Sequence, residues 1–108
     1  MYRYWEEAAI YPVDPDRTDL AREFHARIRG PHSEELRSLL HRMRAMPIRG
    51  KYVIVIVEPF RAWRIARIGE RNQPVEAVDD RIFDNLDEAE WAVFELRWRD
   101  LTGKVLEL

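Results

Sequence analysis

The spacing of apolar residues changes period twice along this chain of 108 residues. Between Asp14 and Pro47 it is helical. Leu36, Leu39, Leu40, Met43 and Met46 recur at three- and four-residue intervals, one stripe of an amphipathic helix. Ser33 stands where it can cap that helix, and Glu34 and Glu35 suit the positive end of its dipole. Arg42 and Arg44 suit the negative end, and Pro47 stops it. Leu20, Phe24 and Ile28 mark an earlier helix. Asp14-Pro15-Asp16 is expected to open it and Gly30-Pro31 to close it. The two together form a helical hairpin.

From Gly50 the period becomes that of strands. Tyr52 to Val57 is an unbroken β-branched and aromatic run between Lys51 and Glu58. Tyr52, Ile54 and Ile56 share one face and Val53, Val55 and Val57 the other. With both faces apolar, this stretch is expected to be a central strand covered on both sides. Pro59 suits the second position of a turn, after which Ala62 to Ile68 returns as a second strand. Asn72-Gln73-Pro74 marks another turn. A third strand is expected between Val75 and Phe83, centred on Arg81-Ile82-Phe83.

The helical period resumes at Asn85. Asparagine followed three residues later by Glu88 resembles a capping box. The helix runs to about Thr102, with Gly103 placed to end it in the left-handed conformation. This helix carries two apolar stripes: Ala89, Ala92, Val93 and Leu96, and Trp91, Phe94, Trp98 and Leu101. One covers a sheet; the other meets the N-terminal helices or a partner protein. Trp98, between Arg97 and Arg99 near the helix end, is expected towards the partner and Trp91 further inside. The N-terminal arm, residues 1–13, holds Tyr2, Tyr4, Trp5 and Tyr11, aromatics that need a surface of this chain or of another. The candidate partner interface is therefore Trp91, Phe94, Trp98 and Leu101 with Tyr4 and Trp5.

The fold class expected is α+β, in one domain over residues 1–108. It comprises an N-terminal helical hairpin (14–47), then a three-stranded antiparallel β-sheet with a C-terminal helix packed on the sheet (50–108). Composition adds limits to this picture. The chain is 46% hydrophobic and 35% charged, a globular balance. Its net charge of −2 offers no global attraction for nucleic acid or anionic membrane. The absence of cysteine excludes thiol catalysis, disulfides and cysteine metal sites. No apolar run reaches the ~20 residues of a membrane helix, and the aromatic, acidic N-terminus is unlike a signal peptide. A cytoplasmic protein is expected.

Candidate chemistry is sparse. His25, His32 and His41 do not share the i, i+4 spacing of a helical zinc site, and a metal site needs three or four converging ligands. Serines and threonines are scattered, with no nucleophile elbow. The glycines, at 30, 50, 69 and 103, build no phosphate loop. No catalytic residue, cofactor site or metal site is expected on this chain. A different class stays open. Three strands and a helix, with Phe83 ahead of Asp87-Glu88-Ala89, are similar to small sheet-reading DNA-binding domains. Arg61, Arg64 and Arg67 on the hairpin would then face the nucleic acid, although the charge balance is wrong for a basic reading face. A stand-alone protein-interaction module is the other alternative.

From Ser33 onward the chain resembles the small subunit of N,N-dimethylformamidase. The matching pieces are the Leu- and Met-rich helix ending in Met46-Pro47, Gly50-Lys51-Tyr52, Trp63-Arg64-Ile65-Ala66-Arg67-Ile68, Pro74-Val75, Asp80-Arg81-Ile82-Phe83 and Asp87-Glu88-Ala89-Glu90-Trp91-Ala92-Val93-Phe94. The N-terminal third does not carry the resemblance. It implies a non-catalytic accessory subunit of a hydrolase that cleaves small formamides. The iron, with its tyrosine and carboxylate ligands, would belong to a large catalytic partner subunit, and none of those ligands carries over to this chain. The partner expected is that large subunit, another protein, or a second copy of the chain.

Overall fold

The computed structural model describes residues 13–45, 51–69 and 72–108. Among these, three helices and three strands follow in the order α1 (Thr18–Ala26), α2 (Glu34–Arg44), β1 (Tyr52–Glu58), β2 (Ala62–Arg67), β3 (Glu76–Ala77) and α3 (Leu86–Thr102). The α+β class is as the periodicity indicates. Contacts divide the chain into two compact units, Met1–Met46 with Glu95–Leu108, and Pro47–Phe94. The last part of α3 belongs to the first unit and its first part to the second.

In the helical unit the sequence signals are largely realised. Ser33 Oγ accepts the Leu36 backbone N–H at 3.2 Å, capping α2. Leu36, Leu39, Leu40 and Met43 are all buried along one stripe. Asp14 plays a different part from the one expected. Its carboxylate accepts the Asp16 N–H at 2.9 Å and its carbonyl accepts the Arg17 N–H, so Asp14–Arg17 is a turn that precedes the helix. The helix starts at Thr18, and its N-cap, Arg17, supplies no side-chain cap. It also ends at Ala26, before Gly30-Pro31. Ile28 is therefore outside α1 and only half-buried. Pro47, expected to stop α2, lies outside the described residues.

The connection between α1 and α2 is tied down by side chains. Glu23 accepts the Ser33 N–H and O–H, both at 2.6 Å. These two hydrogen bonds, chiefly the hydroxyl's, hold its carboxyl below the usual glutamate range. The His32 ring lies against Phe24, with centroids 5.7 Å apart, and its Nε2 is 2.6 Å from the Arg27 carbonyl. Arg17 bridges Asp19 and Glu35, joining the first turns of the two helices. Its hydrogen bond holds the Asp19 carboxyl below the ordinary aspartate range.

In the sheet unit the strand order is β1-β2-β3, antiparallel throughout. This corrects the expectation for β1. Among the described residues β1 is an edge strand, and β2 is the middle one. β1 is also bare at its far end, with Ile56 62% and Val57 50% exposed. The reason is that a two-sided apolar pattern does not encode pairing order. β2 reads as half-polar, yet Ile65 and Ala66 are its buried pair, and the Arg64 guanidinium donates to the Asp79 carbonyl at 2.9 Å. The third strand is also displaced. It is only Glu76–Ala77, and Arg81-Ile82-Phe83 contributes a single bridge, Phe83 to Trp63.

α3 opens as the capping pattern indicates. The Asn85 side-chain oxygen accepts the N–H groups of Asp87 at 2.8 Å and Glu88 at 3.3 Å. At its other end Gly103 takes φ +74° and its N–H closes on the Arg99 carbonyl at 2.8 Å. The first part of α3 packs on the sheet. Ala89, Ala92 and Val93 are buried there.

Candidate partner-binding surface

The sequence assigns the second apolar stripe of α3 to a partner, and the structure redistributes its residues. Phe94 is 2% exposed and Trp98 1% exposed. Both side chains are buried within the chain. Trp91 and Leu101 are half-buried. The expected order of the tryptophans is therefore reversed: Trp98 is the inner one, Trp91 the outer. The flanking Arg97 and Arg99 misled, because in a helix neighbours in sequence point in different directions. Trp91 stacks on Phe94 with centroids 5.4 Å apart and planes 12° from parallel. Tyr4 and Trp5 lie outside the described residues.

The most exposed apolar groups are elsewhere, at the closed end of the β1–β2 hairpin. The turn is Glu58-Pro59-Phe60-Arg61, closed by the Arg61 N–H on the Glu58 carbonyl at 3.0 Å. Phe60 holds φ +65°, the left-handed position that a proline-led turn of this kind normally gives to glycine. A residue with a side chain there costs ~1–2 kcal/mol. Phe60 is also 94% exposed. A strained backbone presenting a bare aromatic ring is a feature from which function is inferred. Nothing in the pattern of apolar positions marks Phe60, because it stands in a turn rather than on an element face.

Phe60 is not isolated. Ile56 stands beside Trp63 in the β1–β2 register, and Trp63 stands beside Phe83 across the next bridge. These three share one face of the sheet. The Arg81 guanidinium lies 5.3 Å from the Phe83 ring and is held at 2.9 Å by Asp79. The exposed Glu58–Arg61 pair, at 3.4 Å, flanks the turn. An apolar patch with a charged rim is the usual form of a protein-binding surface.

The arginines that a DNA-reading sheet would use are not assembled. Arg64 and Arg67 are three apart in β2 and so occupy opposite faces. Arg64 is engaged by Asp79, Arg67 lies 4.7 Å over the Tyr52 ring, and Arg61 pairs with Glu58. Metal chemistry has no assembled ligands either. Among the described residues no three histidine, aspartate or glutamate side chains are grouped to hold an ion. No described helix is long and apolar enough to cross a membrane.

Comparison with known protein families decides the relationship. The family model of the N,N-dimethylformamidase alpha subunit matches residues 6–107. The chain belongs to this family. The match takes in the helical hairpin as well as the sheet and α3, so the relationship begins well before Ser33, where the sequence motifs first show it. No curated protein matches the chain individually. A chain of a subunit family has a protein partner as part of its role, and the hairpin patch has the composition such a role needs.

Proposed function

We propose that this chain is the accessory, non-catalytic subunit of a dimethylformamidase-like amide hydrolase. It docks on a large iron-dependent subunit that cleaves small formamides, with Phe60 at the tip of the hairpin as the contact. The observation that carries this reading is the alpha-subunit family match over residues 6–107. On this reading the metal is held by the large subunit. The reading also takes the complex to be cytoplasmic. Its test is to capture the tagged full chain from its native host and identify what comes with it. The expected result is a large subunit containing iron by elemental analysis, together with release of dimethylamine from dimethylformamide. Recovery of the chain without that subunit would overturn the reading.

A further inference from the structure

The middle of the outer edge of β1, at Ile54 and Ile56, carries backbone groups that no described residue meets. Trp63 and Phe83 exchange both backbone bonds, at 2.8 and 2.7 Å, and Ile65 accepts from Val78, so the odd-numbered residues of β2 bond away from β1. Its even-numbered residues bond towards β1, where Ala66 faces Val53 and Arg64 faces Val55. The alternation of an antiparallel ladder then fixes the rest. The N–H and C=O groups of Ile54 and Ile56 point outward, and no partner meets them among the described residues. Natural edges are blunted by charge, proline or bulges. Here those devices sit at the ends only: Lys51 before the strand, Pro59 after it, and a bulge between Ile56 and Glu58. Val53 to Ile56 carries none.

We infer that this edge pairs with the same edge of a second copy of the chain, antiparallel about a two-fold axis at Val55. The strand is self-complementary in that register. Ile54 of one copy meets Ile56 of the other, each such pair exchanging both backbone bonds, because both residues are outward-bonding. Val53 meets Val57 and Val55 meets Val55. The exposed residues of one copy, Ile56 and Val57, thus stand beside the better covered Ile54 and Val53 of the other. No charged residue lies between Val53 and Val57, so no like charges oppose. An isologous contact of this kind closes as a dimer and leaves only the two-residue β3 at each outer edge. It does not depend on the large subunit.

The test uses the full chain and follows its mass by sedimentation across the micromolar to millimolar range. The wild type is expected to pass from monomer to dimer. Ile56→Lys, at a position exposed in the monomer, is expected to shift the midpoint at least ~tenfold, since it sets like charges near one another across the axis. Its melting curve reports whether the fold survives. As the chain has no cysteine, Val55→Cys gives a second, fold-preserving readout. Val55 and its counterpart form a non-hydrogen-bonded pair, where facing Cβ atoms come closest, near the ~4.5 Å limit of a disulfide, so they can oxidise to a cross-link. Val53→Cys, which faces Val57, is expected not to cross-link. A wild type that stays monomeric, a dimer indifferent to Ile56→Lys in a folded variant, or cross-linking through Val53→Cys as readily as through Val55→Cys would each overturn the inference. Binding of the edge by an extended segment of another protein, with no homodimer, would do the same.

Discussion

The helical unit and the β-hairpin treat their apolar residues in opposite ways. In α1 and α2, Leu20, Ala21, Phe24, Leu36, Leu39, Leu40 and Met43 are all buried. The link between these helices is closed by Glu23 on Ser33 and by His32 against Arg27 and Phe24. The β-hairpin has one backbone bond across its turn and an exposed ion pair beside it, an interaction worth little by itself. At its tip the apolar residues Ile56, Val57 and Phe60 face outward, whereas Tyr52, Ile65 and Ala66 further down the strands are buried. One region spends its side chains on closing itself. The other accepts a strained turn and bare apolar surface, which has a stability cost and makes sense as preparation for binding.

The comparison can be broken most forcefully in the helical unit. Trp98→Ala removes one of the most buried side chains of the chain and is expected to cost ~3–5 kcal/mol. That is a large share of the stability of a domain this size. Trp91→Ala, at a half-buried position, is expected to cost well under half of that. Urea melts of the two variants decide it, and equal losses would contradict the closed character assigned to this unit.

Phe60→Gly probes the open region. It relieves the left-handed strain and is expected to raise stability by ~1 kcal/mol. It also removes the exposed ring and is expected to weaken capture by the large subunit at least ~tenfold, the loss typical of a binding anchor. Stability and binding should thus move in opposite directions. A variant that gains stability and binds as before would show the ring to be without a role.

The smallest effect expected is on the clamp between the helices. The folded pKa of Glu23 is lowered, so its contribution is fully present above the ordinary glutamate value of ~4.3 and is lost as pH falls through the folded value. Glu23→Gln should lower the melting temperature by a few degrees at neutral pH and flatten the loss of stability between that ordinary value and more acid pH. An unchanged acid profile would remove Glu23 from the list of closing contacts.

Much of the fold was legible in the sequence because most of it is regular. The spacing of Leu36, Leu39, Leu40 and Met43 determined α2, and Ser33 and Asn85 each cap the helix they precede. What was not legible has physical causes. Tyr52 to Val57 showed that β1 would be apolar on both faces, but pairing order is a tertiary property, and the edge position appeared only with β2 in the middle. Two residues, Glu76 and Ala77, are too short to display a period, so β3 was sought at Phe83 instead. The two stripes of α3 were visible, while the burial of Phe94 and Trp98 depends on what surrounds the helix. The hairpin patch was hidden furthest. Its key residue is an aromatic in a backbone conformation that aromatics rarely adopt, and only the structure reveals that φ.

The central claim is that this chain completes an amide hydrolase whose chemistry lies in another subunit. The direct measurement is to titrate the purified full chain into the separately purified large subunit while following dimethylamine release from dimethylformamide. The account predicts a rate that rises and saturates at a fixed stoichiometric ratio, with no release by this chain alone. A rate independent of added chain, or release by the chain without the large subunit, would contradict it.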